Sequence, residues 1–272
     1  MCPMTTPDAD PAARFLALHR PGRPLLLPNP WDIGSARLLA SLEFEALATT
    51  SSGYAATLGR SDGSVTRDEA IGHAAAIVTA TPLPVSADLE NGFADDPEGV
   101  ARTIRAVRDA GAVGVNLEDA DHRGDRVLLP IAEQIERLAA AREAAGDAVF
   151  VNARIDTYLR GLPDPMTETL ARAAEYVAAG ADGIFVPGVV DPDTVAALAQ
   201  GISAPLNVLV GPGAPPVQEL AKLGVARVSL GSSVAEAAYT VAHRAARELL
   251  AEGTYTSLDG ALDYATLNAL LA

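Results

Sequence analysis

The chain has 272 residues, 49% of them hydrophobic, with a formal net charge of −15. That length fits one large α/β domain or two ordinary ones, and the acidic balance argues against nucleic acid or an anionic membrane as partner. No apolar run approaches the roughly 20 residues that span a bilayer, so neither a membrane anchor nor a secretory leader is expected, and a reducing cytoplasm is the expected compartment.

Residues 1–10 are polar and contain proline, which predicts a disordered tail. The only cysteine, Cys2, lies there and offers neither a disulfide framework nor a well-placed thiol nucleophile. Pro11 to His19 reads as a short helix with Phe15, Leu16 and Leu18 as its apolar positions. From Leu25 onward, short apolar runs alternate with amphipathic segments of helical length, and Gly, Pro or Asp marks each junction. The predicted strands are Leu25–Leu27, Ala46–Thr50, Pro84–Asp88, Val113–Leu117, Val149–Ala153, Gly183–Val186, Leu206–Val210 and Arg227–Leu230. The predicted helices between them are Ser35–Ser41, Arg67–Thr79, Pro97–Ala110, Pro130–Ala145, Met166–Ala179, Pro192–Ala199 and Pro215–Leu223, followed by Ser233–Glu252. Pro97, Pro130 and Pro192 suit first helical turns, and Gly111, Gly180 and Gly224 suit left-handed caps. Lys222, the only lysine among 20 basic residues, falls in a helical segment, so no Schiff-base lysine sits on an inner strand.

This alternation over residues 11–252 predicts an α/β fold, a (β/α)8 TIM barrel. A doubly wound sheet competes, but its Gly-rich dinucleotide fingerprint is missing after the first strand. Residues 253–272 hold a last helix, Leu258–Leu270, that has no place in a closed barrel and is expected to pack on a partner subunit.

Barrel active sites form at the C-terminal ends of the strands. The third strand delivers Asp88 and Glu90, spaced so that an extended chain turns both to one side. The fourth ends in Asn116, Glu118 and Asp119, and the fifth in Asn152, Arg154 and Asp156. Acids crowded at neighbouring strand ends repel one another unless protons or a hard cation neutralise them, which points to a divalent-metal site. Asp32 reads first as a helix cap. Asp156 and Asn116 read as supports for the site, Asp121, His122 and Asp125 as surface, and His19, His73 and His243 as structural or exposed. Trp31 reads as a core or wall residue. The run Thr50-Ser51-Ser52-Gly53 is either a cradle for a carboxylate or phosphate or an ordinary loop.

The succession Asn29-x-Trp31-Asp32-x-x-Ser35-Ala36, Leu58-Gly59-x-x-Asp62, Asp88-x-Glu90-x-Gly92-Phe93, Leu117-Glu118-Asp119 and Asn152-Ala153-Arg154-x-Asp156 resembles the isocitrate lyase/phosphoenolpyruvate mutase superfamily. The resemblance runs in order over roughly residues 14–250. It implies a Mg2+-dependent barrel, with Mn2+ as the alternative ion, that makes or breaks C–C or C–P bonds of 2-oxo acids through an enolate. It further implies a homo-oligomer, dimer or tetramer, in which the last helix is swapped between subunits. Carried over, Asp88 would be the principal metal ligand, with Glu90 and Glu118 holding metal-bound waters. Asp62, Glu118 and Arg154 would be catalytic, Arg154 also binding the departing group. Thr50, Ser51 and Ser52 would cradle the substrate, with Trp31 in the same substrate-binding set.

Two departures narrow the reading. The lyases carry a Cys-containing motif after the fourth strand, where this chain has Ala120-Asp121-His122-Arg123-Gly124-Asp125-Arg126. Relatives place a His or Glu after the sixth strand, where this chain has Val186-Pro187-Gly188. The expected function is therefore C–C cleavage of a small 2-oxo acid, with decarboxylation of an oxaloacetate-like substrate its simplest form. The alternatives are a C–P bond enzyme, a metal-free phosphate-binding isomerase using Gly211, Gly213, Gly231 and Ser232, and a non-catalytic 2-oxo acid binder.

Overall fold

The structure, a computed structural model, describes residues 10–121 and 126–272. Eight parallel strands form one sheet: β1 (Leu25–Leu27), β2 (Leu47–Ala48), β3 (Val85–Asp88), β4 (Gly114–Glu118), β5 (Phe150–Arg154), β6 (Gly183–Val186), β7 (Leu206–Leu209) and β8 (Arg227–Ser229). Their order, β1-β8-β7-β6-β5-β4-β3-β2, is that of a barrel opened only between β1 and β2. There the Ala48 N–H donates to the Pro28 carbonyl at 3.1 Å. Asn29 ties the same seam, its Nδ2 donating to the Thr49 carbonyl at 3.2 Å while its Oδ1 accepts from the N–H groups of Leu230 and Gly231, both at 2.9 Å.

The helices are α1 (Pro11–Ala17), α2 (Ile33–Ala40), α3 (Ser51–Thr57), α4 (Arg67–Ala80), α5 (Pro97–Asp109), α6 (Ile131–Ala145), α7 (Pro165–Ala178), α8 (Pro192–Gly201), α9 (Val217–Lys222), α10 (Ser233–Glu252) and α11 (Tyr264–Leu271). Caps follow the sequence: Asp32 and Ser35 form a reciprocal capping box on α2, and Thr66 and Glu69 form one on α4. Gly111, Gly180 and Gly224 take φ of 95°, 104° and 93° just past their helices, as the left-handed cap requires.

Strand alternation divides the side chains. Val115, Leu117, Val151 and Ala153 face the helices and join the main apolar core. Their neighbours Asn116, Glu118, Asn152 and Arg154 face the barrel axis, paired Asn116 with Asn152 and Glu118 with Arg154. The N-terminal end of the barrel is plugged by α1. Phe15, fully buried, meets Phe150 edge-on at 5.9 Å, and His19 stacks on Phe150 at 4.0 Å. A methyl group on Gly114 would lie 2.6 Å from the Phe15 ring, so this strand position has room only for glycine.

Three expectations change. Ser51–Thr57, where no helix was expected, is one: Thr50 caps it, and Gly53 fits where a Cβ would come within 2.6 Å of the Thr50 side chain. The predicted Leu258–Leu270 helix is broken into a single turn, Thr256–Leu258, and α11, because Gly260 takes φ +81° and Asp263 caps a new start. Pro130 caps α6 from outside rather than opening it. The expected 1–10 tail falls, save Asp10, outside the described residues; Asp10 itself caps α1.

Candidate active site

At the C-terminal end of the barrel, two adjoining chambers of about 240 and 230 Å3 share Ser51, Asp62, Arg154 and Leu159. The first is walled on one side by Thr49, Thr50, Ser51, Ser52, Asp88 and Asn116, and on the other by Leu159, Phe185, Pro187 and Leu209. The second adds Glu90, Glu118 and Arg160. Asp62, Thr50, Ser51, Ser52, Asp88, Glu90, Glu118 and Arg154 are thus all brought to one place. Trp31 is not. It lines an apolar groove with Leu38, Leu39, Leu267 and Leu271, between α2 and α11.

Local structure places each group. Asp88 ends β3, its N–H donating to the Thr49 hydroxyl at 2.8 Å and its Oδ2 accepting from the Ser51 N–H at 3.0 Å. The first turn of α3 is therefore hung on the carboxylate it borders. The expected alternation stops there. Glu90 takes φ +48°, beyond the extended strand, so it opens into the second chamber while Asp88 opens into the first. Its carbonyl accepts from the Glu118 N–H at 2.9 Å.

Arg154 is clamped. Its Nη1 lies 2.8 Å from Glu118 Oε2, and its Nε and Nη2 donate to the two oxygens of Asp156 at 2.6 and 3.0 Å. Burial works against its charge, but the carboxylates of Glu118, Asp156 and, farther off, Asp88 outweigh that cost and raise its pKa. Asp119, next to Glu118, turns the opposite way. It accepts from the Asp156 N–H at 3.0 Å, from Arg172 at 3.1 Å and from the Tyr176 hydroxyl at 3.0 Å. Burial pushes its carboxyl up to about 6 against those bonds. Asp119 and Asp156 thus fix the backbone and side chain behind Arg154.

The barrel axis holds a polar layer of Asn116, Asn152, Asn207 and Arg227, the last three almost fully buried; Asn116 and Asn152 were expected at the site, Asn207 and Arg227 were not. The signal was present in β8, where alternation sets Arg227 and Ser229 on one face. Burial lowers the Arg227 pKa to about 9, with Asp88 opposing. His19 and His73 are buried structural groups, as expected. His122 and Asp125 lie outside the described residues.

The candidate metal donors are all carboxylate oxygens, a set suited to a hard cation. Among the described residues no three acidic, His or Cys groups converge closely enough to hold an ion unaided.

The profile described as phosphoenolpyruvate phosphomutase matches residues 15–250. The chain belongs to that family. It is 46% identical to a Burkholderia cenocepacia J2315 protein provisionally assigned as a lyase/mutase, whose crystal structure superposes with a TM-score of 0.91 over 96% of this chain and 95% of that one. An uncharacterised protein of Mycobacterium tuberculosis is 39% identical over 94% of this chain and 95% of its own length. The oxaloacetate decarboxylase of Pseudomonas savastanoi pv. phaseolicola is 31% identical over 82% of this chain and 77% of the relative. Family membership agrees with the barrel.

Proposed function

We propose that this family member is a Mg2+-dependent lyase that cleaves a C–C bond of a small 2-oxo acid, with decarboxylation of an oxaloacetate-like dicarboxylate as its simplest reaction. The observation that carries this reading is the meeting of Asp88 and a clamped Arg154 in the wall of one small chamber. Asp88 would hold the cation, and Glu90 and Glu118, in the adjoining chamber, would hold its waters. When bound, the ion supplies Lewis acidity to the 2-oxo oxygen as negative charge develops there.

The chain's own residues do the rest. Thr50, Ser51 and Ser52 line the chamber where the first carboxylate would sit. Arg154 would hold the distal carboxylate by the N–H groups left free of Glu118 and Asp156, and Asp62 borders the reacting centre from its loop. As the C3–C4 bond breaks, CO2 departs and its electron pair moves toward the 2-oxo oxygen. C3 then takes a proton from water. The opposite wall of Phe185, Pro187 and Leu209 holds no titratable group to receive a phosphoryl group or protonate a bulky leaving group. Loss of CO2 needs neither.

The test is turnover of a panel of oxaloacetate, alkyl-substituted 2-oxo and 2-hydroxy dicarboxylates and phosphonopyruvate, with and without Mg2+, beside Asp88→Ala. Mg2+-dependent pyruvate formation from oxaloacetate supports the reading. Turnover of phosphonopyruvate alone transfers the chemistry to a C–P bond, and activity surviving Asp88→Ala removes the metal site.

The same reading extends to assembly. α10 runs for 20 residues with Ala235 its only buried residue. Tyr239, Val241, Leu249 and Leu250, followed by Tyr255, Leu258 and Leu262, are exposed. A surface this apolar on one projecting segment marks an interface. We take its occupant to be a second copy of the chain, exchanging this segment. Sedimentation velocity on the wild type and on Leu249→Glu/Leu250→Glu tests it, a monomeric wild type overturning the assembly.

A further inference from the structure

Three carboxamides and one guanidinium in the barrel axis have roles that can be settled by elimination. Asn207 Nδ2 is within hydrogen-bond distance of the carbonyls of Val208 at 2.9 Å and Arg227 at 3.2 Å. A carbonyl can only accept, so this end of Asn207 must be its NH2 and its other end its oxygen. That oxygen faces an Asn152 terminus at 3.2 Å, which must therefore be the Asn152 NH2. The same NH2 reaches Asn116 at 2.8 Å, so the Asn116 atom there is its oxygen. Arg227 confirms this from the other side. A guanidinium can only donate, and its Nη2 lies 3.3 Å from the same Asn116 oxygen. Carbonyls at one end of the chain and a guanidinium at the other leave one consistent orientation for every amide between them.

The consequence falls on Asn116. Its oxygen is held from below by two donors, and the residue lines the chamber beside Asp88, its register neighbour. Its NH2 makes no hydrogen bond among the described residues. Among the described residues Arg227 forms no salt bridge: its Nε and Nη1 are buried without a hydrogen bond, Asp88 acts on it only through its charge, and its contact with Asn116 is the one side-chain hydrogen bond found there. We propose that Asn116 is a substrate-contacting residue whose side-chain N–H groups face the chamber and donate to an anionic oxygen of the 2-oxo acid, with Arg227, Asn152 and Asn207 as the positioning residues that fix this orientation. The inference rests on the reading of the site given above. It adds a neutral donor to the floor of the chamber, aimed at the oxygens on which charge sits or develops.

Oxalate is the probe, since its two adjacent carboxylates reproduce the planar, negatively charged head of an enolised 2-oxo acid. Isothermal titration of oxalate with Mg2+ present is run on the wild type, Asn116→Asp, Asn116→Ala, Arg227→Met and Arg227→Lys, with thermal melts to verify folding. The expected result is binding by the wild type and a loss of about tenfold or more in both Asn116 variants, the order of a lost hydrogen bond to a charged group. Arg227→Lys, which keeps a donor, retains more affinity than Arg227→Met. If Asn116→Ala binds oxalate as the wild type does, the proposal is overturned while the reading of the site stands, even where Asn116→Asp weakens binding by repulsion alone. If Arg227→Met folds and binds normally, the positioning role is overturned; if it does not fold, the Asn116 pair decides. A wild type that ignores oxalate sinks the reading itself and this inference with it.

Discussion

Arg154 and Asp156 form a two-point grip, Nε to Oδ1 at 2.6 Å and Nη2 to Oδ2 at 3.0 Å, while the remaining Arg154 nitrogen reaches Glu118. A guanidinium held this way is an oriented donor with two faces already occupied. Replacing it by Lys keeps the charge and loses the fork. Arg154→Lys is therefore expected to lower kcat/KM by about a hundredfold, the order set by losing a bidentate charged contact. Steady-state kinetics with oxaloacetate measures it, and a change of less than threefold refutes the distal-carboxylate role.

Removing the ion should act on stability as well as on activity, because a ligand that binds only the folded state stabilises it. Mg2+ is expected to raise the Tm of the wild type and to leave Asp88→Asn unchanged, with EDTA reversing the wild-type gain. Differential scanning calorimetry reads this without substrate.

His19 predicts an acid-side loss of stability. Burial, then repulsion from Arg227, lowers its pKa from 6.5 to about 3. As pH falls below 6.5 the unfolded chain takes up a proton that the folded chain refuses until pH is near 3, so stability present above 6.5 drains away over that window. The upper bound is about 1.4 kcal/mol per pH unit. His73, lowered to about 4 by burial, acts in the same direction. Urea denaturation at pH 7.5, 5.5 and 4.5 should show a shallower fall for His19→Phe, which keeps a ring against Phe150.

Asn29 holds the one seam in the barrel. Asn29→Ala leaves the Leu230 and Gly231 N–H groups and the Thr49 carbonyl without their partner. A buried group left unsatisfied costs about 1–3 kcal/mol, and since the Thr49 contact is buried but the Leu230 and Gly231 N–H groups are only partly so, a loss of that order is expected. A midpoint within error of wild type in urea would contradict this.

Most of the scaffold could be read from the residues. β1, β6 and α10 begin and end where periodicity puts them, because Gly, Pro and Ser punctuate an otherwise regular alternation. The failures share a cause: local pattern does not contain tertiary close approach. No helix was expected over Ser51–Thr57, whose first residues read as a cradle or a loop because Ser and Gly are poor helix formers; it is helical with Thr50 as its cap and Gly53 fitted against Thr50 and Trp31. Glu90 breaks the period-2 rule through a backbone angle that no motif spells out. Trp31 is close in sequence to site residues, yet it lines the groove beside the C-terminal helix and not the chambers. The acids and Arg154 were legible as a cluster at strand ends. Of the layer beneath them Asn116 and Asn152 were placed but Asn207 and Arg227 were not, since an Asn or Arg at an alternating strand position looks alike whether it meets solvent or the axis.

Lys222 closes α9 on the exposed surface, at the approach to β8 and hence at the barrel end away from the chambers. Chemistry directed at side-chain amines has a single address in this chain, remote from every group assigned to binding. A dye or a solid support attached there would leave the mouth of the barrel open.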